Sequence, residues 1–238
     1  MILAAGLGTR LRPLTDDRPK ALVEVRGKTL LHHAIERLAA AGVTRLVINI
    51  HHRADQVEEY LRRRHNFGID IRLSDERDAL LDTGGAILRA RPLLLPGLPL
   101  LVHNVDIISD VDLPLLARQH ADSRARATLV TRRPATDRLL RFDADNTLTG
   151  WENRATGQRL VANRRDRHAL PRAFCGIQIL SPAYLDAIHH RGAFSIIDEH
   201  LHQARRHAIR AFHHDGQCAD AGTPAAIAAL DAYLPDSR

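Results

Sequence analysis

The run Met1-Ile2-Leu3-Ala4-Ala5-Gly6-Leu7-Gly8-Thr9-Arg10 decides the fold. Residues 1–5 are apolar and too few for a helix, so they read as a buried strand that leads straight into a turn with two glycines. In an open α/β sheet, that turn lies at the carboxyl end of a strand, where ligands bind. Glycine permits positive φ and lets backbone N–H groups come close to a phosphate, which makes Gly6 and Gly8 candidate phosphate contacts. Outward from this turn, Leu30, Leu31, Ala34, Ile35, Leu38 and Ala41 recur at helical spacing and stop at Gly42. Residues 45–50 read as the next strand, 55–64 as a helix, 69–73 as a strand, 83–90 as a helix and 98–104 as a buried strand. This alternation predicts a Rossmann-like, mostly parallel sheet wound through right-handed crossovers, with helices on both faces.

From about residue 125 the rhythm changes. Segments 127–131, 139–142, 148–151 and 174–180 have strand character with few helices between them, which predicts a mixed or antiparallel extension. Residues 153–172 are polar and arginine-rich and read as a long surface excursion or mobile loop. Helices return at 182–189, 196–206 and 224–233. Without an internal repeat or low-complexity linker, 1–238 reads as a single α/β domain, with a first half to about 124 and a second half over about 125–233.

Composition narrows the function. The net charge is +6, but it comes from arginines scattered in small groups such as Arg132-Arg133 and Arg164-Arg165, and only 4% of residues are aromatic. Nucleic-acid binding needs a concentrated basic surface or stacking platforms, so it is disfavoured, and a small anionic substrate suits the charge better. No apolar run reaches membrane-span length, and residues 1–5 lack a basic leader. Cys175 and Cys218 fit no zinc spacing and read as reduced thiols of a cytoplasmic protein. The histidine pairs His51-His52 and His213-His214 have no metal-ligand spacing and read as surface or loop residues. A dinucleotide GxGxxG fails at Leu11, and the Walker-like Gly27-Lys28-Thr29 lacks its upstream glycine because Leu22 stands there. A GxSxG hydrolase elbow is absent. The chain holds only two lysines, Lys20 and Lys28, so Lys20, just beyond the glycine turn, draws notice.

Leu3-Ala4-Ala5-Gly6-Leu7-Gly8-Thr9-Arg10-Leu11-Arg12-Pro13-Leu14-Thr15, followed by Pro19-Lys20-Ala21-Leu22-Val23-Glu24-Val25, resembles the sugar-1-phosphate nucleotidyltransferases. The likeness continues through Leu81-Asp82-Thr83-Gly84-Gly85-Ala86, with Glu76 upstream, and through Val102-His103-Asn104-Val105-Asp106, Phe174-Cys175-Gly176-Ile177 and Asp220-Ala221-Gly222-Thr223-Pro224. The resemblance implies that Leu3, Ala5, Gly6, Gly8, Thr9, Gly84 and Gly85 hold a nucleoside triphosphate. It implies that Arg10 and Lys20 contact its phosphates, and that Asp106 and Asp220 bind Mg²⁺. Asn104, Glu152 and Gly176 are implied to hold the sugar phosphate. Two sites depart from the pattern: Asn153 replaces a lysine that contacts the sugar phosphate, and Val105 replaces a glycine.

The implied partners are a nucleoside triphosphate and a sugar-1-phosphate, with no nucleic acid or membrane, and a homodimer stays open. No hexapeptide-repeat extension like that of some relatives is expected, and the compact length resembles that of N-acetylmuramate-1-phosphate uridylyltransferases and small mannose-1-phosphate guanylyltransferase-like proteins. UTP and an N-acetylmuramate-1-phosphate-like acceptor are the expected pair. A GTP-dependent mannose-1-phosphate enzyme, a CTP-dependent phosphocholine cytidylyltransferase and a non-catalytic nucleotide-sugar-binding module remain as alternatives.

Overall fold

The computed structural model describes residues 1–233, apart from Arg164, Arg165 and Arg167. The chain begins with β1 (Ile2–Leu3), the small β2 (Glu24–Val25) and β3 (Lys28–Thr29) hairpin, and α1 (Leu30–Ala40), whose first turn is capped by Thr29 Oγ1 accepting from His32 N at 3.1 Å. It continues through β4 (Arg45–Ile50), α2 (Ala54–Arg63), β5 (Asp70–Asp75), α3 (Asp82–Ala90) and β6 (Leu100–Asn104). Then come β7 (Ile107–Ser109), α4 (Leu113–Ser123), β8 (Ala127–Arg132), β9 (Arg138–Phe142), β10 (Leu148–Asn153), β11 (Gln158–Val161) and β12 (Leu170–Leu180). The last elements are α5 (Pro182–Asp186), α6 (Ile196–Gln203), β13 (Ile209–His213), β14 (Cys218–Asp220) and α7 (Pro224–Tyr233).

In the first half, β5, β4, β1 and β6 lie side by side and parallel, with Ile2 opposite both Ile48 and His103. β12 then docks antiparallel on β6 and joins this parallel block to β8, β13 and the antiparallel β9-β10-β11 meander, giving a ten-stranded mixed sheet. Alternation along β4 divides the core. Leu46, Ile48 and Ile50 pack with α1, α2 and α7 on one face, while Val47 joins Ile87 of α3 and Tyr184 of α5 on the other.

Three expectations need correction. β1 ends at Leu3 rather than residue 5, because Ala4 N donates to Asn49 Oδ1 at 2.7 Å instead of continuing the ladder. The helices expected at 182–189 and 196–206 stop at Asp186 and Gln203. Residues 153–172 are not an excursion, since β11 pairs with β10, Trp151 facing Leu160, and Asp166 is buried beneath the pair. Arg164, Arg165 and Arg167, within that stretch, lie outside the described residues. α4 went unassigned in the sequence, although Asp112 capping Leu115 N at 2.8 Å and Pro114 in the first turn mark its start.

Candidate active site

The site lies where the carboxyl ends of β1 and β6 meet the bulged middle of β12. Gly8 sits at φ +66°, and a Cβ there would come within 2.9 Å of Thr15 and 3.0 Å of Lys20. The missing side chain therefore lets the turn close onto the segment that carries Lys20, and Thr15 Oγ1 fastens it by donating to Gly8 O at 2.9 Å. Leu3, Ala5 and Gly6 line a cavity of about 190 Å³ together with Lys20, Asn49 and Glu76. Thr9 and Arg10 follow in an exposed turn outside it.

Asn49 links this wall to Glu76. Its Oδ1 accepts from Ala4 N, and its Nδ2 donates to Glu76 Oε1 at 2.9 Å. Glu76 is fully buried, its Oε2 has no hydrogen-bond partner among the described residues, and burial raises its carboxyl pKa above the usual range. A buried acceptor left open at a cavity wall is matched to a donor on whatever fills that cavity.

Asp106 and Asp220 are far apart in sequence and meet through a two-stranded ladder. β14 pairs with β7, placing Asp220 opposite Ile107, and Ala221 N donates to Asp106 O at 2.8 Å. Lys20 Nζ donates to Asp106 Oδ2 in a nearly buried pair, and Arg10 Nη2 stands 3.9 Å from Asp220 Oδ2 at the surface. Gly222 makes room for that corner, since a Cβ there would fall 2.6 Å from Asp220 Oδ1 and 2.8 Å from Arg10 Nη2. Burial would raise the Asp106 carboxyl, but the Lys20 ammonium prevails and holds it below the usual range. Burial, reinforced by the Asp106 charge, raises Asp220. Two facing carboxylates that resist joint ionisation suit a divalent oxygen-seeking cation, and Mg²⁺ typically takes one or two carboxylates plus substrate phosphate oxygens. The donor set therefore fits the implied metal. No group of three or more metal-ligating side chains occurs among the described residues, so no zinc-type cage competes with it.

Asn104 and Asp106 also line a second, larger cavity of about 660 Å³, so they stand where the two spaces join. Gly176 shapes the junction. At φ +70°, within the register shift of β12, it leaves room for the Asn104 side chain, whose Nδ2 would lie only 2.8 Å from a Cβ at this position.

Two groups of expected contacts lie elsewhere. Gly84 and Gly85 are buried inside α3 and line neither cavity. A Cβ on Gly84 would strike the Phe194 ring at 2.2 Å, and one on Gly85 would strike Gly192 O at 2.3 Å. Gly84 N donates to Phe194 O at 2.9 Å, so these glycines let the segment before α6 lie flat on α3. Their neighbours Asp82 and Thr83 reach the smaller cavity instead. Glu152 also misses the larger cavity, because strand alternation turns it to the opposite face from Trp151. There Arg141 Nη1 and Arg154 Nε donate to it at 2.6 Å and 3.1 Å, and Arg141 Nε binds buried Asp166 at 3.0 Å. The cavity face of this meander is built from Arg138, Leu140, Trp151, Gln158 and Leu160, which the sequence reading did not single out as contacts. Their even spacing along paired strands was the available signal.

Cations and carboxylates gathered at strand ends beside two joined cavities define a class of phosphate-handling α/β proteins. The nucleotidyl transferase family model matches residues 1–140, more than half of the chain, and the chain belongs to that family. It is 56% identical to an N-acetylmuramate alpha-1-phosphate uridylyltransferase of Caulobacter vibrioides over 110 residues, 45% of each chain. It is 32% identical to a mannose-1-phosphate guanyltransferase of Yarrowia lipolytica over 228 residues, 94% of this chain and 60% of that one. The chain thus spans about half the length of the curated relatives it matches. Its fold matches the crystal structure of HddC from Yersinia pseudotuberculosis complexed with GMP-PN, with a TM-score of 0.76 over 97% of this chain and 96% of that one at 22% identity. No helix among the described residues is long and apolar enough to cross a membrane.

Proposed function

We propose that the chain transfers the uridylyl group of UTP to a sugar-1-phosphate, with N-acetylmuramate 1-phosphate as acceptor. The observation that carries this reading is the cluster of Asp106, Asp220, Lys20 and Arg10 beside two cavities that share Asn104 and Asp106 in their walls. An oxygen of the sugar phosphate attacks the α-phosphorus, the bond from that phosphorus to the bridging oxygen breaks, and pyrophosphate leaves. The nucleophile is already anionic, so no general base is required, and catalysis reduces to alignment and charge stabilisation. In this reading Gly6 and Gly8 cradle the triphosphate, Arg10 and Lys20 stabilise charge moving onto pyrophosphate, and Glu76 Oε2 accepts an N–H from the base. Asn104 and Gly176 face the acceptor. Asp106 and Asp220 would hold Mg²⁺, which supplies neutralisation of phosphate charge when bound. The two free, buried cysteines suit a reducing cytoplasm.

Guanylyl transfer to mannose 1-phosphate is the second reading, favoured by the relative that matches over 94% of the chain. Pyrophosphate release across a grid of UTP, GTP, CTP and dTTP against N-acetylmuramate, mannose and glucose 1-phosphates and phosphocholine separates these outcomes. The reading requires the UTP and N-acetylmuramate cell to exceed all others. Nucleotide binding with no release in any cell would mark a binding module instead.

A further inference from the structure

We infer that Arg138 binds a second anionic group of the acceptor, a carboxylate carried on the sugar, and so determines acceptor specificity; this rests on the uridylyl-transfer reading above. The starting point is where this arginine-rich chain leaves its arginines unpaired. Arg45 meets Asp70 at 2.6 Å, Arg77 reaches Asp55 and Glu58, Arg91 meets Asp186 and Arg141 meets Glu152. Arg132 and Arg138 both line the larger cavity, and neither has a carboxylate at ion-pair distance among the described residues. At the junction Asp106 and Asp220 face Lys20 and Arg10, so the rest of the cavity offers a ligand two guanidinium groups against the single carboxylate of Asp198, a lining that favours an anion.

The two arginines occupy different walls. Arg132 Nη1 donates to Cys218 O at 2.6 Å, which ties it to β14 two residues before Asp220, at the aspartate end of the cavity. Arg138 begins β9 of the meander, directly opposite Asn153, a neutral residue that offers it no charge partner. On the same face of the meander, Leu140 pairs with Trp151 and Trp151 with Leu160, forming an apolar floor between flanking strands. An apolar floor edged by a free guanidinium fits a sugar ring carrying an apolar substituent that ends in a carboxylate, which the planar donor fork can bind in bidentate fashion. Asp198, an acid of this cavity outside the aspartate pair, belongs to α6 and not to the meander. N-acetylmuramate has this chemistry: it differs from N-acetylglucosamine by a lactyl ether that bears a carboxylate.

The test compares kcat and KM for N-acetylmuramate 1-phosphate and N-acetylglucosamine 1-phosphate in the parent, Arg138→Gln and Arg138→Lys. Arg138 is exposed, so both variants should fold, and thermal unfolding checks this. The expected result is a fall of about ten- to a hundredfold in kcat/KM for the carboxylate-bearing acceptor in Arg138→Gln, mainly through KM, with the other acceptor unchanged. Arg138→Lys should recover part of the loss. Equal loss on both acceptors, or loss on neither, overturns the inference while the transfer reading stands. A parent that uridylylates neither acceptor overturns both.

Discussion

The two halves of the molecule use charge in opposite ways. In the parallel half, glycine backbone and a few cations converge on open space, and a buried carboxylate oxygen of Glu76 has no partner among the described residues. In the meander, Arg141, Asp166, Arg159, Glu152 and Arg154 satisfy one another on the face turned away from the cavity. The first arrangement waits for a ligand, and the second holds three strands together. Residue type alone does not separate them, because strand alternation decides which face a charge occupies.

Substitutions at the junction should break this comparison most strongly. Asp220→Asn, at a half-exposed position, is expected to lower kcat by about a thousandfold while the protein still folds, the scale seen when a group that stabilises a transition state is removed; Asp106→Asn should lose turnover and also stability, because it leaves the nearly buried Lys20 without its carboxylate. Steady-state pyrophosphate release with a parallel unfolding curve measures both effects. Asp166→Asn should do the reverse. Removing one partner from a buried ion cluster costs about 3 kcal/mol or more of stability, and the fraction that remains folded should keep its turnover; urea unfolding together with active-site titration tests this.

Gly84→Ala lies between these extremes. If the glycine serves packing against Phe194, overpacking should lower stability by about 1–3 kcal/mol and leave nucleotide affinity within a few-fold. Unchanged stability with a large rise in the Kd for UTP would return Gly84 to the nucleotide site. The smallest expected effect is an acid lability. Burial lowers His103 to about 4 and His200 to about 3, whereas an unfolded histidine titrates near 6.5. Both are neutral in both states at neutral pH. As pH falls below about 6.5 the unfolded chain gains protons that the folded chain cannot take, so stability drops by up to about 1.4 kcal/mol per pH unit for each histidine. Comparing His103→Gln with His200→Gln by urea unfolding at about pH 7 and about pH 5 shows which half carries more of this slope.

The parallel half is readable because its helices are amphipathic and its inner strands β4 and β6 are largely buried, so periodicity and turn residues agree. The Asp106 and Asp220 pairing was not readable from local pattern, since it depends on the short β7–β14 ladder; only the family resemblance joined them. Glu152 was named as a contact from its motif position, but Trp151 takes the cavity side, and a one-residue offset is enough to exchange faces. Gly84 and Gly85 were read as a ligand loop because a glycine that admits a phosphate and one that admits a phenylalanine ring look alike in sequence. Arg138 carried no local signal, because its isolation from carboxylates exists only in three dimensions.

Chemistry at the meeting of the two cavities can be tested in one reaction mixture. The most direct measurement mixes the protein with UTP, N-acetylmuramate 1-phosphate and Mg²⁺ and quantifies pyrophosphate and nucleotide sugar together, in the parent and in Asp220→Asn. The expected result is the two products in equal amounts from the parent, none without acceptor, and near-complete loss in the variant. Pyrophosphate formed without acceptor, or an Asp220→Asn variant that turns over like the parent, would contradict it.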